Sequence, residues 1–297
     1  MIQKTVLIAG CSSGIGLALA IKLAKDNEKR FMVYATMRNL DKRRDLVEAS
    51  GNTLGKTLDI KQLDVYREQS IQDCGNIRLT DVYVNAGMGM IGSIECQTLE
   101  EMKAVVDTNF FGLVRLLKEI FPDMKKRKRG QIVVISSVLG IQGILFNDIY
   151  AASKFAVEGF CEGLAIQVLK FKLKISLIEP DPVVTGFEKK VFAGGSKIDL
   201  SAADKETADM FTNIYFRNYK EIFSSLGQSA NEVAESCMFS TVLILKLSEN
   251  HRAMVVEARL NAKRKHVTQN KMKPENVLFR NDEEHERKNR RFGLDFK

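Results

Sequence analysis

Between Thr5 and Lys25 the sequence reads as a short buried strand, a glycine-rich turn and an amphipathic helix in immediate succession. Thr5–Ala9 is apolar and β-branched, and Gly14–Lys25 carries Ile15, Leu19 and Leu23 on one stripe. The joining turn, Ala9 to Gly16, is AGCSSGIG. A buried strand that turns sharply into a helix belongs inside a sheet with the helix packed back over it. Gly10 permits the tight turn, Gly14 lets the backbone approach a phosphate, and Gly16 lets helix and strand pack closely. The spacing is G-x-x-x-G-x-G rather than G-x-G-x-x-G, and glycines also sit at such corners for geometry alone. Placed straight after the first strand, where a helix N-terminus attracts anions, the turn is a candidate pyrophosphate site. Gly10, Ser12, Ser13, Gly14, Ile15 and Gly16 are its residues.

The same alternation continues along the chain. Further strands are expected at Phe31–Ala35, Leu58–Leu63, Asp81–Val84, Ile132–Ser136 and Lys174–Ile178, with a last one at Met254–Glu257. Long helices are expected at Leu99–Phe121, stopped by Pro122, at Tyr150–Lys170 and at Asn231–Leu247. Strands alternating with helices predict an α/β fold, a doubly wound parallel sheet in a single domain covering residues 1–260. Beyond Leu260 charge dominates and apolar periodicity is lost, so residues 261–297 read as a basic, disordered tail.

Composition narrows the class. The 297 residues, 45% of them hydrophobic, are enough to bury a sizeable core. Cys11, Cys74, Cys96, Cys161 and Cys237 show no paired spacing, which favours reduced thiols and a cytoplasmic setting. No His/Cys cluster has zinc spacing, so no metal is expected. The net charge of +8 gathers partly in Lys125–Arg129, read as a solvated turn, and partly in the tail. The tail is a candidate for peripheral contact with anionic lipid, with simple solvation as the plainer reading. No basic motif interleaved with aromatics supports nucleic-acid binding. Serines and glycines interrupt the N-terminal apolar segment, so a signal peptide is not expected, and Met238–Leu247 is too short to span a bilayer.

The end of the second strand selects between dinucleotides. NAD sites carry an acid there for the ribose 2′-hydroxyl, whereas NADP sites supply a cation. YATMRNL offers Arg38 and no carboxylate before Asp41, which predicts NADP(H); the competing reading is a plain surface arginine. Asp64 and Val65, closing the third strand, are expected at the adenine edge. Asn85, Ala86 and Gly87, closing the fourth, are expected where the ribose side passes.

Tyr150 and Lys154 stand four residues apart on a helix and so share a face. An ammonium beside a phenol is expected to lower its pKa from near 10 toward the working range. Such a tyrosine can exchange the proton that hydride transfer at a carbinol carbon requires. Ser137, just past the fifth strand at the sheet's carboxyl edge, could hold the substrate oxygen. Asn109, an amide in the apolar stretch TNFFG, reads equally well as structural or functional.

Together, AGCSSGIG, NAG at 85–87, TNFFG, ISSVLG, YAASK and EPDPVVT fall in the order and spacing of the short-chain dehydrogenase/reductase family. The text from Thr5 to about Glu235 resembles its branch of retinol and estradiol 17β-dehydrogenases. That resemblance implies a Rossmann-type fold, NADP(H), and a Ser137–Tyr150–Lys154 centre with Asn109 completing a proton relay. It implies that Lys154 also binds the nicotinamide ribose and that Pro182–Thr185, with Val183 and Thr185 among them, flanks the carboxamide. It further implies a homodimer formed through the two helices Leu99–Phe121 and Tyr150–Lys170.

Several positions depart from the family pattern. Ala9 stands where threonine is usual. The fourth strand, VYVNAG, is one residue short, which in a period-two strand turns every side chain over unless a loop absorbs it. Asp181 replaces a glycine, so a positive φ there would strain it. The tail does not resemble the branch. The pocket is expected from Met88, Val138, Ile144, Asn147, Phe187 and the 211–223 segment, an apolar lining for a lipid alcohol or ketone. Steroid-type members place a histidine near Asn218 for a phenolic hydroxyl. Asn218 with Tyr219, and Tyr215 a turn earlier, therefore tilt the expectation to all-trans-retinal/retinol over a steroid. A non-catalytic NADP(H)-binding protein is the rival class.

Overall fold

A computed structural model describes residues 3–75 and 77–246. In chain order it runs β1 (Lys4–Ala9), α1 (Gly14–Ala24), β2 (Phe31–Met37), α2 (Arg44–Ser50), β3 (Leu58–Gln62), α3 (Glu68–Gly75), β4 (Asp81–Val84) and α4 (Leu99–Val106). There follow a π-turn (Asp107–Phe111), α5 (Gly112–Arg127), β5 (Gly130–Ile135), α6 (Asp148–Val168), β6 (Leu173–Ile178), β7 (Val183–Val184) and α7 (Gly186–Gly195). The last part comprises α8 (Lys205–Asp209), a second π segment (Met210–Phe216), α9 (Arg217–Leu226), β8 (Gln228–Ser229) and α10 (Ala230–Lys246). Six parallel strands form one sheet in the order β3-β2-β1-β4-β5-β6, while β7 and β8 make a separate short pair. The expected doubly wound sheet is therefore present. The seventh strand expected at Met254–Glu257 and the tail at 261–297 lie outside the described residues.

The inner strands β1, β4 and β5 are buried on both faces, as strands inside a parallel sheet are. Alternate residues supply two cores. Leu7, Val82, Val84, Ile132 and Val134 face α3, α5 and α6. Val6, Ile8, Tyr83, Val133 and Ile135 face α1 and α10. A third apolar cluster, centred on Phe146, Phe211, Tyr215 and Tyr219, gathers the segment that follows α8 against the loop before α6.

The shortened fourth strand pairs with the first without a break: Val6, Leu7, Ile8 and Ala9 stand opposite Asp81, Val82, Tyr83 and Val84. Three contacts fix the chain there. The Thr80 N–H donates to the Thr5 carbonyl at 2.8 Å, Arg127 donates to the Leu79 carbonyl at 2.6 Å, and the Lys4 ammonium meets the buried Asp81 carboxylate at 2.8 Å. Breaking such a buried pair from one side typically costs about 3–5 kcal/mol, enough to oppose a slip.

Three other expectations change. The Leu99–Phe121 helix is three pieces, and Pro122 lies inside α5 instead of ending it. A mid-helix proline costs about 3 kcal/mol, but Ile120, Phe121 and Met124 are buried around it and anchor the helix beyond the break. The basic run is only partly solvated: the Lys125 ammonium sits 5.2 Å from the ring centres of both Phe121 and Phe171, and Lys128 ends α5 in the left-handed conformation. Asp181 is not strained, because positive φ away from glycine occurs, among the described residues, at Lys29, Lys128, Phe146 and Lys172.

Candidate active site

The carboxyl ends of β1, β4 and β5 meet where the strand order reverses, the place at which open α/β sheets bind ligands. Gly10 leaves β1 with φ of 87°, and a methyl carbon there would stand 3.0 Å from the Ala86 backbone. At Gly16 an added carbon would overlap the Gly10 carbonyl oxygen and reach 2.6 Å from the Asn85 amide nitrogen. Asn85 itself donates to the Gly10 carbonyl at 2.9 Å. Asn85 thus braces the glycine turn from β4, where the register question had left its place open. Ser13 begins α1 without a side-chain cap, and no acid stands in the first turn. The first N–H groups of α1 therefore face the turn without an anionic or hydroxyl partner from their own cap. Ile15 packs its side chain into the core, leaving its backbone to the turn. Thr185 caps α7 by accepting from the Phe187 N–H and lies 3.3 Å from where a Gly14 side chain would begin. The Val183–Thr185 segment and the glycine turn are therefore neighbours.

At the outer end of this groove Arg38 is exposed, its carbonyl held by the Gln62 amide at 3.0 Å. Among the described residues no ion pair engages its guanidinium. Asp64 accepts from the Tyr66 N–H at 3.1 Å and so shapes its own turn. Val65 is buried, packed where a Gly112 side chain would intrude. Ala86 packs beside the sheet core, and Gly87 lies against the Asn109 amide oxygen.

Ser137 follows β5, caps a short 3-10 turn, Val138–Gly140, and lies near enough to the Tyr150 phenol to favour its ionised form against burial. Lys154, 6% exposed, donates to the Ile135 carbonyl at 3.1 Å. Its ammonium stands 5.7 Å from the Tyr150 ring centre. Serine, tyrosine and lysine thus converge as their positions on β5 and α6 suggest. The electrostatics do not follow the sequence expectation. Burial pushes the Tyr150 phenol up to about 12, Ser137 opposing it only in part. Burial also brings the Lys154 ammonium down to about 8 against the pull of Glu158. The lysine points at a strand carbonyl and lies over the ring, so desolvation prevails. At neutral pH Tyr150 keeps its proton.

Asn109 sits in the π-turn with its side chain fully engaged. It accepts from the Met88 N–H at 2.7 Å and donates to the Met88 carbonyl and to Ser153 Oγ at 2.8 and 2.9 Å. One amide thereby ties the loop after β4 to α6, three residues from Tyr150. Ser153 was not singled out from sequence; the small residue inside YAASK is the signal that marked it.

Nearby, the rings of Phe211, Tyr215, Tyr219 and Phe223 follow one another at separations of 5.8, 5.9 and 4.9 Å, the middle pair edge-on and the outer two stacked. Asn147 donates to the Tyr215 hydroxyl at 2.8 Å, and burial raises that phenol above its ordinary range. These two expected substrate residues therefore meet each other across the cluster, with Ile144 packed beside them. Asn218 does not join them. It is exposed on α9, because the buried stripe follows positions 211, 215, 219 and 223 and Asn218 falls about 100° off that line. Met88 and Phe187 remain partly open at the rim, the Phe187 ring 6.2 Å from that of Tyr150.

Residues 4–195 match the family model described as short chain dehydrogenase. The chain belongs to that family. Human retinol dehydrogenase 8 is 51% identical over 236 residues, spanning 78% of this chain and 76% of the relative. Human 17-beta-hydroxysteroid dehydrogenase type 1 is 42% identical over 250 residues, spanning 82% and 75%. Among solved structures, an actinorhodin polyketide ketoreductase variant with NADPH superposes with a TM-score of 0.67 at 24% identity, covering 80% of this chain and 91% of that one. The enzyme is thus an oxidoreductase acting on CH–OH groups.

Proposed function

We propose that the enzyme uses NADP(H) to interconvert a lipid carbonyl and its alcohol, all-trans-retinal and all-trans-retinol being the preferred pair. The observation that carries the reaction is the Ser137–Tyr150–Lys154 cluster with a protonated phenol beside an uncapped glycine turn. The preference for a retinoid rests on 51% against 42% identity to the two relatives, since the exposed Asn218 no longer argues for either. The glycine turn and the first N–H groups of α1 fit a pyrophosphate, Arg38 fits a 2′-phosphate, and Lys154 fits the nicotinamide ribose. Asp64, Val65, Asn85, Ala86 and Gly87 line the path between, and Val183 and Thr185 the carboxamide end. When bound, the dinucleotide supplies or takes up the hydride.

The protein's own groups handle the oxygen and its proton. Ser137 holds the carbonyl oxygen against Tyr150, and Tyr150 gives that oxygen its proton. Lys154 offers its charge to the phenolate left behind, and the proton returns to Tyr150 along a relay ending at Asn109. The aromatic wall of Phe211, Tyr215 and Tyr219 with Phe146 supplies an apolar surface suited to a long or flat hydrocarbon.

NADPH absorbance followed with all-trans-retinal and with estrone tests this reading. Retinal turnover with NADPH preferred over NADH is expected, and Arg38→Ala is expected to erode that preference about tenfold or more, the worth of one charge-assisted contact of ~1.5–3 kcal/mol. Turnover of estrone alone would replace the retinoid with a steroid. Turnover of neither, in a protein that still binds NADPH, would leave the non-catalytic reading, and faster NADH oxidation would remove Arg38 from its role.

We also propose that two copies pair through α4, α5 and α6. Leu99, Phe111, Phe155, Ile166 and Leu169 are large apolar side chains left 46–74% exposed on those elements or at their ends, a surface that monomers rarely keep. Light scattering should give twice the chain mass, falling to the monomer in Phe155→Glu/Ile166→Glu; a monomeric wild type would sink the idea.

A further inference from the structure

The loop that follows β4 is fixed at both ends. The Met88 N–H donates to the Asn109 amide oxygen at 2.7 Å, and the Asn109 amide nitrogen donates to the Met88 carbonyl at 2.8 Å. Four residues on, the Gly92 N–H donates to the Phe146 carbonyl at 2.9 Å, and the Gln97 amide donates to the Gly92 carbonyl at 2.8 Å. Ile91, between these points, is buried in the aromatic cluster. The loop therefore has little room to yield.

Helix α7 lies along this loop. Phe187, Val191 and Gly195 recur every four residues and so share one face of the helix. A methyl carbon on Gly89 would overlap Val191 Cγ2 and stand 2.9 Å from Phe187 Cζ. One on Gly195 would stand 2.6 Å from Ile91 Cδ1 and 3.0 Å from the Phe216 ring. Each surface thus omits a side chain where the other presents one. The contact at Gly89 also reaches the chemistry, because the same Phe187 ring stands 6.2 Å from that of Tyr150. A side chain at position 89 must displace one of the two surfaces. Met88 is clamped, and Val191, β-branched and helical, has one favoured rotamer. It is α7 that gives way, taking Phe187 with it.

We infer that Gly89 is a positioning residue that governs specificity: lacking a side chain, it lets α7 settle until Phe187 stands beside Tyr150, narrowing the cleft to a slot for an unhindered terminal aldehyde. The inference rests on the proposed carbonyl reduction at Tyr150. A ring ketone carries carbon on both sides of its carbonyl and needs more width there than a polyene aldehyde, whose carbonyl carbon bears only hydrogen on one side. Gly89 acts through Val191 and Phe187, without touching the reacting atoms.

The test compares wild type, Gly89→Ala and Gly89→Ala/Val191→Ala as purified full chains, with two readouts. Backbone hydrogen exchange over residues 186–195, followed by mass spectrometry, reports how firmly α7 is seated. The ratio of kcat/KM for all-trans-retinal to that for estrone, both with NADPH, reports the slot. In Gly89→Ala, exchange over 186–195 should quicken and the ratio should fall about tenfold, the scale on which a methylene's worth of space discriminates substrates. NADPH affinity and exchange in the sheet should stay at wild type, which a general loss of stability would not allow. Val191→Ala in the same chain removes the overlapping carbon and should return both readouts toward wild type. An unaltered ratio in Gly89→Ala overturns the inference, and so does a change that Val191→Ala leaves unrelieved. Turnover of estrone alone by the wild type overturns the slot as well. If the wild type reduced neither carbonyl, the proposed function would fall, whereas exchange that quickens in Gly89→Ala and recovers in the double variant would still uphold the seating of α7 by Gly89.

Discussion

Tyr150→Phe is expected to lower kcat/KM for carbonyl reduction by roughly 10²–10⁴-fold, the usual worth of a positioned proton donor, with little change in NADPH affinity. The ring remains, so its packing against Phe187 survives, and the glycine turn is untouched. What disappears is the single O–H beside Ser137. The pH profile should carry the same signature. Reduction needs Tyr150 protonated and Lys154 charged, so its rate should hold through neutral pH and fall as Lys154 is lost near about 8. Oxidation of the alcohol needs the phenolate and should climb as the pH rises toward about 12. A Tyr150→Phe protein within threefold of wild type, measured by single-turnover NADPH oxidation, would take the proton away from this residue.

Gly16→Ala should produce the second large effect, on a different link of the chain of causes. The added carbon meets the backbone carbonyl of Gly10 and the Asn85 amide, neither of which is the loose end of a flexible side chain. Either α1 moves away from β1 or the Gly10 turn opens, and both spoil the anion cradle. Overpacking of this kind costs about 1–3 kcal/mol, with Tm falling roughly 2–4 °C per kcal/mol for a domain of this size. The apparent Kd for NADPH should rise about tenfold or more, since ~1.4 kcal/mol of lost phosphate contact suffices for that. Gly194→Ala, at a glycine with no atom within 4 Å of the new carbon, is the matched control and should leave both quantities near wild type. Equal behaviour of the two variants in calorimetry and NADPH titration would show that the turn tolerates a side chain.

The sheet was legible because its inner strands are short, largely apolar runs, and such runs have few places to go other than the middle of a parallel sheet. The catalytic pair was legible because helical spacing alone puts Tyr150 and Lys154 on one face. Register was harder to read. The seating of β4 depends on Lys4, Thr5 and Arg127, which lie 48 to 77 positions from their partners Asp81, Thr80 and Leu79. No local pattern encodes those contacts. The phenol was misjudged for a related reason: spacing reports how near the ammonium is, whereas the proton's affinity depends on how much water the folded cleft excludes. Asn218 lies off the buried stripe, since the π segment at 210–216 shifts the face that a regular helix would present.

The aromatic cluster around Phe146 and Tyr215 shares no buried side chain with either of the cores that flank the sheet. Distant sites with no common neighbours contribute almost independently to stability. This aromatic cluster can accordingly be rewritten, residue by residue, with the sheet and the Ser137–Tyr150–Lys154 cluster left standing on their own foundations. Such modularity lets one scaffold diverge toward retinoids in one descendant and sterols in another without first having to survive a weakened sheet.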